Sequence, residues 1–298
     1  MGLRPKKRTV PLERGSWLHA LLEAHYTGED WEAVHEAKTK EFNNLFDEER
    51  EELGDLPGEC KRIMRAYLRR YRVEDKFYTT IDAEIDELIE LPNGDHFNFI
   101  IDLVVEDRRG FLWLWDHKTV SKFMEGDYML LDAQLARYFW SAERMGYRPL
   151  AGVMFNELRT KPPAIPQQLQ SGGVSKRANI DTDYQTYLRA VKLAGEDPED
   201  YKDILTRLKA QPDRFFRRTS MPKDRGLTRR TMRDLLDTLA QIKESESKNR
   251  FPRTVNKTCT WDCDFKDVCI TEYFGADPTS LIKANFTTKD EMVANGDA

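Results

Sequence analysis

The sequence predicts an α/β protein in which a central sheet is flanked by helices. Three segments show the two-residue alternation and the β-branched and aromatic content of strands, and they span residues 77–91, 98–105 and 111–119. Short glycine-containing turns separate these segments, which predicts two consecutive hairpins. A helical segment at 130–145 and a further strand at 150–156 complete an α-β-β-β-α-β order.

Helical segments are also predicted before and after this core. The first begins with Ser16 as its N-cap and directs Trp17 and three leucines to its apolar side. The second, at 58–71, mixes arginines and a lysine with apolar residues. It is either a positive wall beside a nucleic acid or a charge partner for the acidic residues 29–56. Further helical segments are expected at 181–209 and 228–248.

Two stretches behind the core have a different character. Residues 159–178 contain several prolines and a Gly-Gly pair, which predicts a long loop, either a substrate lid or a disordered insertion. Residues 214–218 interleave three arginines with two phenylalanines and read as a strand. These side chains would contact single-stranded nucleic acid, or the strand packs on the core with its arginines exposed.

Composition fits a soluble globular protein of 298 residues, with 40% hydrophobic and 33% charged residues. Lys and Arg number 47 against 52 Asp and Glu, so the net charge of −5 excludes a polybasic nucleic-acid binder. A DNA enzyme of this charge must concentrate its basic residues locally. No apolar segment approaches a membrane span, and the four cysteines are too few for a disulfide scaffold. We therefore expect a cytoplasmic protein without a membrane partner.

Two carboxylates and an ammonium group occupy the second and third predicted strands. Asp102 lies in the second strand, and Asp116 and Lys118 share one face of the third, directly after Leu112 and Leu114. Pairing of the two strands would bring Asp102 toward Asp116. Buried charges of this kind are costly unless they meet a metal, a phosphate or each other. The pattern therefore predicts a divalent-metal site beside a phosphodiester.

This pattern resembles the PD-(D/E)XK nuclease superfamily, in which an acid on one strand is followed by acid-x-Lys on the next. The matching residues are Asp102 and the tripeptide Asp116, His117, Lys118. Ile101 stands where the family name has proline, a position that varies in the superfamily. The short motif alone is weak, and it gains specificity from its neighbours.

Those neighbours are similar to the RecB-like branch, which includes AddB and the CRISPR-associated RecB-type exonucleases. His19 lies in a helix upstream, Gln134 and Tyr138 form a Gln-x-x-x-Tyr motif downstream, and cysteines follow near the end. Residues 12–23 are most similar to phage-encoded members, and the resemblance extends over roughly residues 3–272. It implies the restriction-endonuclease-like core, with a mixed central sheet flanked by helices and helical insertions.

The resemblance also implies a role for each motif residue. His19, Asp102 and Asp116 would hold Mg²⁺ or Mn²⁺, with the backbone carbonyl of His117 as a further ligand. Lys118 would orient the attacking water and stabilise charge in the transition state. On spacing alone, His19 is an ordinary helical histidine.

Three further residues enter the site through the same resemblance. Gln134 and Tyr138, stacked four apart on a helix, would position the DNA strand, whereas their spacing alone indicates a polar pair at a packed helix edge. Glu84 is the acid of the first strand that the family pattern supports as an extra carboxylate. Alternation would place Asp82 or Asp86 equally well.

Three cysteines fall within eleven residues, at Cys259, Cys263 and Cys269. Their C-x3-C-x5-C spacing is close to that of RecB-like nucleases with a 4Fe-4S cluster, which the resemblance favours over zinc. The fourth ligand is unidentified, because the chain has no cysteine before Cys60, where those nucleases have one, and we expect its N-terminal region to be shortened. The alternative is that the cysteines bind no metal and simply pack.

The expected function is that of a metal-dependent exonuclease acting on single-stranded DNA or DNA ends. The resemblance favours 5′-to-3′ polarity and a role in recombination, repair or phage DNA processing. Since no Walker motif is present, a helicase or recombinase partner would be a separate chain. The alternatives are a structure-specific endonuclease with the same residues, or a non-catalytic DNA-binding or assembly module that keeps a metal cluster.

We expect one nuclease domain over residues 1–276. Its parts are an N-terminal helical region (10–75), the core (76–158), an insertion (159–226) and the cysteine region (250–276). A basic arm before residue 10 is expected to be solvated, and residues 277–298 a polar tail.

Overall fold

The computed structural model describes residues 3–170, 172–261 and 263–288, without the side chains of residues 127 and 128. Backbone contacts divide the chain into two compact units. The larger is Val10–Thr238, and the smaller combines Met1–Thr9 with Leu239–Ala298. The single nuclease domain expected over residues 1–276 remains a prediction. Among the helices of the described residues, none is long and apolar enough to cross a membrane.

The strands and helices are numbered in chain order. The strands are β1 (Leu3–Pro5), β2 (Tyr78–Glu90), β3 (His96–Asp107), β4 (Leu112–Val120), β5 (Leu150–Arg159), β6 (Phe216–Pro222) and β7 (Phe286–Thr288). The helices are α1 (Val10–Thr27), α2 (Trp31–Asn43), α3 (Asp47–Leu53), α4 (Leu56–Tyr71), α5 (Gly126–Leu131), α6 (Ala133–Met145), α7 (Tyr184–Leu193), α8 (Lys202–Lys209), α9 (Arg225–Ser247), α10 (Lys266–Tyr273) and α11 (Thr279–Asn285).

A five-stranded sheet in the order β2-β3-β4-β5-β6 forms the centre of the larger unit. β4 and β5 run parallel, while every other neighbouring pair is antiparallel. Both predicted hairpins are formed, and α5 and α6 make the crossover that a parallel pair requires. The predicted mixed sheet flanked by helices is therefore confirmed.

Helices bury the two faces of this sheet in separate hydrophobic clusters. One cluster joins α1 and α4 to Leu158 of β5 and Phe216 of β6. The other joins α6 to Leu114 of β4 and Phe155 of β5. Because β4 and β5 are covered on both faces, polar side chains that leave them are screened from water.

The insertion after β5 has a core of its own. Val174, Tyr187, Tyr201 and Leu205 pack in a cluster formed by α7, α8 and the segment before them. The predicted loop has only an isolated bridge in its described part, but the Val174 amide donates to the Tyr201 hydroxyl at 2.9 Å. The end of this loop is thus tied to the insertion.

The first helix begins seven residues earlier than predicted, at Val10 instead of after Ser16. Pro11 is the second residue of the helix. The first four N–H groups of any helix have no intrahelical partner, so the N–H that proline lacks is not missed there. Proline was therefore compatible with the first turn.

In the smaller unit, the expected polar tail is folded in its described part, and the basic arm, exposed as expected, contributes β1. Residues 279–285 form α11, and β7 pairs antiparallel with β1. Phe286 is buried and stacks on Phe265 with 4.8 Å between ring centroids. Lys6 donates from Nζ to the backbone oxygen of Lys283 at 2.7 Å. Pairing between segments so far apart in sequence leaves no local signal. The end of the predicted tail, 289–298, lies outside the described residues.

Candidate active site

Three acidic side chains occupy neighbouring positions on adjacent strands. Glu84 is on β2, Asp102 on β3 and Asp116 on β4, and the strand register places them side by side. Asp102 is 8% exposed and Asp116 only 2%, so both carboxyl groups are almost removed from water. Of the three acids on β2 that alternation left open, Glu84 is the one that lies with His19 and Asp102.

His19 reaches this row from α1. Its Nδ1 lies 3.6 Å from Asp102 Oδ1 and 3.9 Å from Glu84 Oε1. Its Nε2 lies 2.9 Å from the backbone oxygen of His117. One ligand atom from each of His19, Glu84 and Asp102 falls within 4.8 Å of the other two.

Asp116 and Lys118 form a second group on the same strand. Lys118 Nζ lies 3.0 Å from Asp116 Oδ1 and donates to Gln134 Oε1 at 3.1 Å. The Gln134 amide in turn donates to the Tyr138 hydroxyl. The two residues predicted to position DNA therefore also fix the lysine side chain. The second carboxylate oxygen of Asp116 is buried and has no hydrogen-bond partner among the described residues.

His117 joins the two groups through its backbone. Its amide donates to Asp102 Oδ2 at 2.6 Å, and its carbonyl oxygen faces His19. The imidazole is turned away and is 3% exposed. Asn156 Nδ2 donates to its Nδ1 at 2.9 Å, which leaves the proton of the neutral ring on Nε2. Burial lowers the pKa of His117 well below its usual value, so the ring stays neutral.

Burial raises the pKa of the acids in this site. The pKa of Asp116 rises to about 7, because desolvation and the charge of Asp102 outweigh the attraction of Lys118. Partial burial and then the charge of Asp102 raise the pKa of Glu84 to about 7. Burial raises the pKa of Asp102 too, against His19 and the His117 amide. At neutral pH, Asp116 and Glu84 are therefore close to the balance between their neutral and ionised forms.

These residues fit a hard divalent cation. Carboxylate oxygens, a histidine nitrogen and a backbone carbonyl are ligands that Mg²⁺ and Mn²⁺ accept. The unpartnered oxygen of Asp116 is a buried acceptor that such an ion would satisfy. The described group differs from the expected ligand set in one respect, since Glu84 and not Asp116 lies within 4.8 Å of both His19 and Asp102.

Glu84 has an unusual backbone conformation. Its φ is 46°, in the left-handed region that glycine normally occupies, and the β2–β3 register shifts between Thr80 and Asp82. A non-glycine residue held there costs on the order of 1–3 kcal/mol. The irregular strand places the carboxylate in the row.

The site is open to solvent on one side. A cleft of about 510 Å³ is lined by His19, Glu84, Glu23, Lys38 and Thr119, together with the start of α1. His19 and Glu84 thus face an accessible depression, whereas the neighbouring Asp102 and Asp116 are almost fully buried.

Sequence reasoning missed a buried polar network behind His117. Asn156 donates from Nδ2 to the Tyr67 hydroxyl at 2.8 Å as well as to His117. Arg218 of β6 donates to the hydroxyls of Tyr67 at 2.8 Å and Tyr26 at 2.9 Å. Its guanidinium carbon lies 3.5 Å from the Tyr71 ring centroid. The local signal was Asn156, which directly follows the apolar residues 150–155 of β5.

Residues 214–218 pack on the core through Phe215 and Phe216, as one of the two readings expected, but all three arginines form ion pairs. Arg218 pairs with Asp75 at 2.6 Å, Arg217 with Glu157 at 2.6 Å, and Arg214 with Asp181 at 3.1 Å. They stabilise the packing of β6 and are not available to a nucleic acid.

The cysteines remain a prediction. Cys259, Cys263 and Cys269 are free thiols in the smaller unit. Within the described residues, their sulfurs do not belong to any set of three ligand atoms lying within 4.8 Å. Cys60 is fully buried in the core of the larger unit, and burial raises the pKa of its thiol to about 12. It is an inert core residue.

Comparison with known proteins identifies the family. A crystal structure from Eubacterium rectale, named "Putative exonuclease", is 12% identical and covers 88% of this chain and 82% of its own, with a TM-score of 0.36. None of the proteins of curated function is similar enough in sequence to count as a relative. The profile of the PD-(D/E)XK nuclease superfamily matches residues 1–270. This match agrees with the arrangement of acids on paired strands followed by Lys118, and the chain belongs to the PD-(D/E)XK nuclease superfamily.

Proposed function

We propose that this chain is a metal-dependent DNA exonuclease acting on single-stranded DNA or DNA ends. The observation that carries the proposal is the group of His19, Glu84 and Asp102. Beside it lies Asp116, whose buried Oδ2 has no hydrogen-bond partner among the described residues. The 5′-to-3′ polarity and a role in recombination, repair or phage DNA processing rest on the resemblance of the motifs. DNA is the proposed partner in each case.

His19, Asp102 and Asp116, with Glu84 and the His117 carbonyl, would hold the metal. A divalent ion held there polarises the phosphate and lowers the pKa of a bound water. Asp102 also fixes the His117 backbone, because its Oδ2 accepts the amide proton. That bond keeps the carbonyl of the same residue directed toward His19.

Lys118 acts on the water and on the phosphate. Its Nζ is held between Asp116 Oδ1 and Gln134 Oε1, which leaves it a third N–H to donate. Donated to the attacking water, that hydrogen bond orients the lone pair in line with the scissile bond. As the transition state forms, the ammonium stabilises the charge that develops on the phosphate oxygens. Gln134 and Tyr138 keep the lysine in place.

A non-catalytic binding module explains the site less well. A buried carboxylate with a raised pKa and a non-glycine residue at positive φ are both destabilising, and nucleic-acid binding requires neither. An endonuclease would use the same residues, so the substrate must separate the two activities.

The test is degradation of end-labelled linear single-stranded DNA with Mn²⁺, with Mg²⁺ and with chelator. We expect metal-dependent loss of substrate that disappears in Lys118→Ala and persists in Lys122→Ala, an exposed lysine four residues on. The end released first gives the polarity, and circular single-stranded DNA should resist an exonuclease. Cleavage of the circle would indicate an endonuclease. Full activity in Lys118→Ala would refute the assigned mechanism.

A further inference from the structure

A large cleft lined by arginines lies at the end of the sheet opposite the candidate active site. We call it the basic cleft, and its volume is about 700 Å³. Its charged and aromatic lining is Trp140, Glu143, Arg148, Lys223, Arg225 and Arg229. These residues come from α6, the turn before β5, the end of β6 and the start of α9.

The charge of this cleft contrasts with that of the whole protein. Four cations and one acid give the lining a charge of +3 (4 − 1), whereas the chain as a whole carries −5. Glu143 is engaged with Lys223 in an ion pair. Arg148, Arg225 and Arg229 are exposed and form no ion pair with any described carboxylate. Arg225 and Arg229 are therefore free to bind an anion, and Arg148, which donates one hydrogen bond to the Glu143 carbonyl at 3.5 Å, keeps further N–H groups for one.

The basic helix α4 differs in this respect. Arg62 pairs with Asp55 at 2.9 Å, Arg65 pairs with Glu32 at 2.7 Å, and Arg70 pairs with acids on either side. The sequence alone made α4 the best positive wall, but these pairs support the alternative reading, charge balance. Local concentration of unpaired arginines occurs in the basic cleft.

The cleft also offers an aromatic surface. Trp140 is partly exposed, and the guanidinium of Arg144 lies 5.0 Å from its ring centroid. Stacking on an aromatic ring next to cations is how sequence-independent binding of single-stranded nucleic acid is built. An acidic protein would use the charges but would not need the indole.

Its distance from the catalytic lysine follows from the sheet register. Leu150, which lines the cleft, pairs with Leu112, six residues before Lys118 on β4. At about 3.3 Å per residue the separation is roughly 20 Å. A single strand stacked as in a duplex, with one phosphate per ~3.4 Å along its axis, spans that distance with about six nucleotides.

We propose that the basic cleft is a second binding site for a single-stranded nucleic acid, holding the phosphates of the substrate about six nucleotides away from the bond that is cut. This proposal rests on the proposed function in one respect: the strand bound in the cleft is taken to be the same strand that is cut in the active site. A strand long enough to occupy the cleft and the active site together gains affinity from both sites, and a shorter strand does not.

The test measures binding in chelator, where no cleavage occurs. Fluorescent oligothymidylates of about 4 and about 16 nucleotides are titrated with the full chain over a range of salt concentrations. The cleft variant combines Arg148→Gln, Arg225→Gln and Arg229→Gln. The matched control combines Lys192→Gln, Lys202→Gln and Arg207→Gln, three exposed cations of α7 and α8 that change the net charge equally.

The cleft variant should bind the long strand more weakly. Each lost phosphate contact flattens the slope of log affinity against log salt by ~0.7, so losing three contacts should flatten it by about 2. Its affinity for the short strand should fall by less than its affinity for the long strand, and the control should match the wild type with both strands. Equal slopes for the two variants would overturn the proposal, as would equal weakening of short and long strands.

Two further outcomes separate the alternatives. Polyglutamate that binds as tightly as the long oligonucleotide, and loses binding in the same variant, would reassign the cleft to an acidic protein and overturn the proposal. Loss of length-dependent binding in the variant, from a wild type that cleaves nothing with any metal, would retain the cleft and reject the nuclease function. The two proposals can thus fail independently.

Discussion

Asp116 is placed where a carboxylate is costly. One of its oxygens meets Lys118, the other has no partner among the described residues, and the side chain is 2% exposed. Its raised pKa measures that cost, since the native protein prefers the protonated form. The site therefore stores instability that a cation would relieve.

The first prediction concerns stability against pH in chelator. Asp116 and Glu84 titrate near 7 in the native protein and near 4 when unfolded, so between these values the native state binds more protons. Stability should accordingly fall as pH rises from about 4 to about 7, then level off. Thermal unfolding at a series of pH values would show this as a decreasing Tm. Added Mg²⁺ or Mn²⁺ should raise the Tm most above pH 7, whereas a Tm that rises across this window in chelator would contradict the assignment.

The second prediction is that Asp116→Asn stabilises the protein in chelator at pH 8 while abolishing cleavage. The amide removes a buried charge at nearly constant shape, so the Tm should rise by a few degrees, about 1–2 kcal/mol. Asp107→Asn is the control with the opposite sign. Burial alone would raise the pKa of Asp107, but hydrogen bonds from the Phe111 and Arg109 amides lower it below its usual value. That variant should lose stability, and a drop in both would indicate that Asp116 is an ordinary structural acid.

The third prediction concerns Glu84→Gln. The amide keeps the size of the side chain but removes a charge within 4.8 Å of His19 and Asp102. Metal affinity, measured by calorimetry, should weaken by at least tenfold, because losing even an outer partner of a metal site costs about 10- to 100-fold. Glu87→Gln, an exposed acid on the same strand, should bind metal as the wild type does. Equal affinities in the two variants would remove Glu84 from the site.

At the scale of the elements, the sequence predicted the order of strands and helices because each element carries its own periodicity. The hairpins followed from their turns, and Asp102 and Asp116 from strand alternation. The choice of Glu84 over Asp82 and Asp86 did not follow, because it depends on a shift in the β2–β3 register and a positive φ. Both are local departures from the alternation that made the strand recognisable.

Long-range pairing was the other limit. The partners of Arg218 are Tyr26, Tyr67 and Asp75, which lie far from it in the sequence and are brought to it by the sheet. Arginine next to phenylalanine reads as a surface strand when those partners are unknown. The same limit applies to β7, whose partner β1 is at the other end of the chain.

The fourth prediction belongs to the network behind β4. Asn156→Leu would leave His117 Nδ1 without its donor and the Tyr67 hydroxyl with one partner fewer, both buried. We expect a loss of about 2–4 kcal/mol in unfolding free energy, at ~1–3 kcal/mol for each orphaned group. The turnover of folded enzyme should also fall while affinity for DNA is kept, because the His117 backbone loses its support. Asn98→Leu, at an exposed site on β3, should change neither, and unaltered turnover in Asn156→Leu would restrict the network to stability.

At the scale of the whole molecule, every residue of the candidate active site lies in the larger unit. Its four hydrophobic clusters are likewise built from residues between Trp17 and Met221. The three neighbouring cysteines belong to the smaller unit. Among the described residues, no side chain beyond α9 belongs to these clusters or to the candidate active site.

The last prediction follows from this division. A chain of residues 10–247, which keeps α9 whole, should unfold cooperatively and retain metal-dependent cleavage within about threefold of the full chain, because its clusters and its site are complete. Circular dichroism, thermal unfolding and the linear single-strand assay would measure this.

The full chain with Cys259, Cys263 and Cys269 all changed to serine is the companion experiment. If both variants cleave, a metal bound by the cysteines is dispensable for chemistry; if the truncated chain fails to fold while the serine variant is active, the smaller unit is needed for its backbone and not for its thiols. Loss of both fold and activity in the serine variant would instead make the cysteines a structural metal site that stabilises the entire chain.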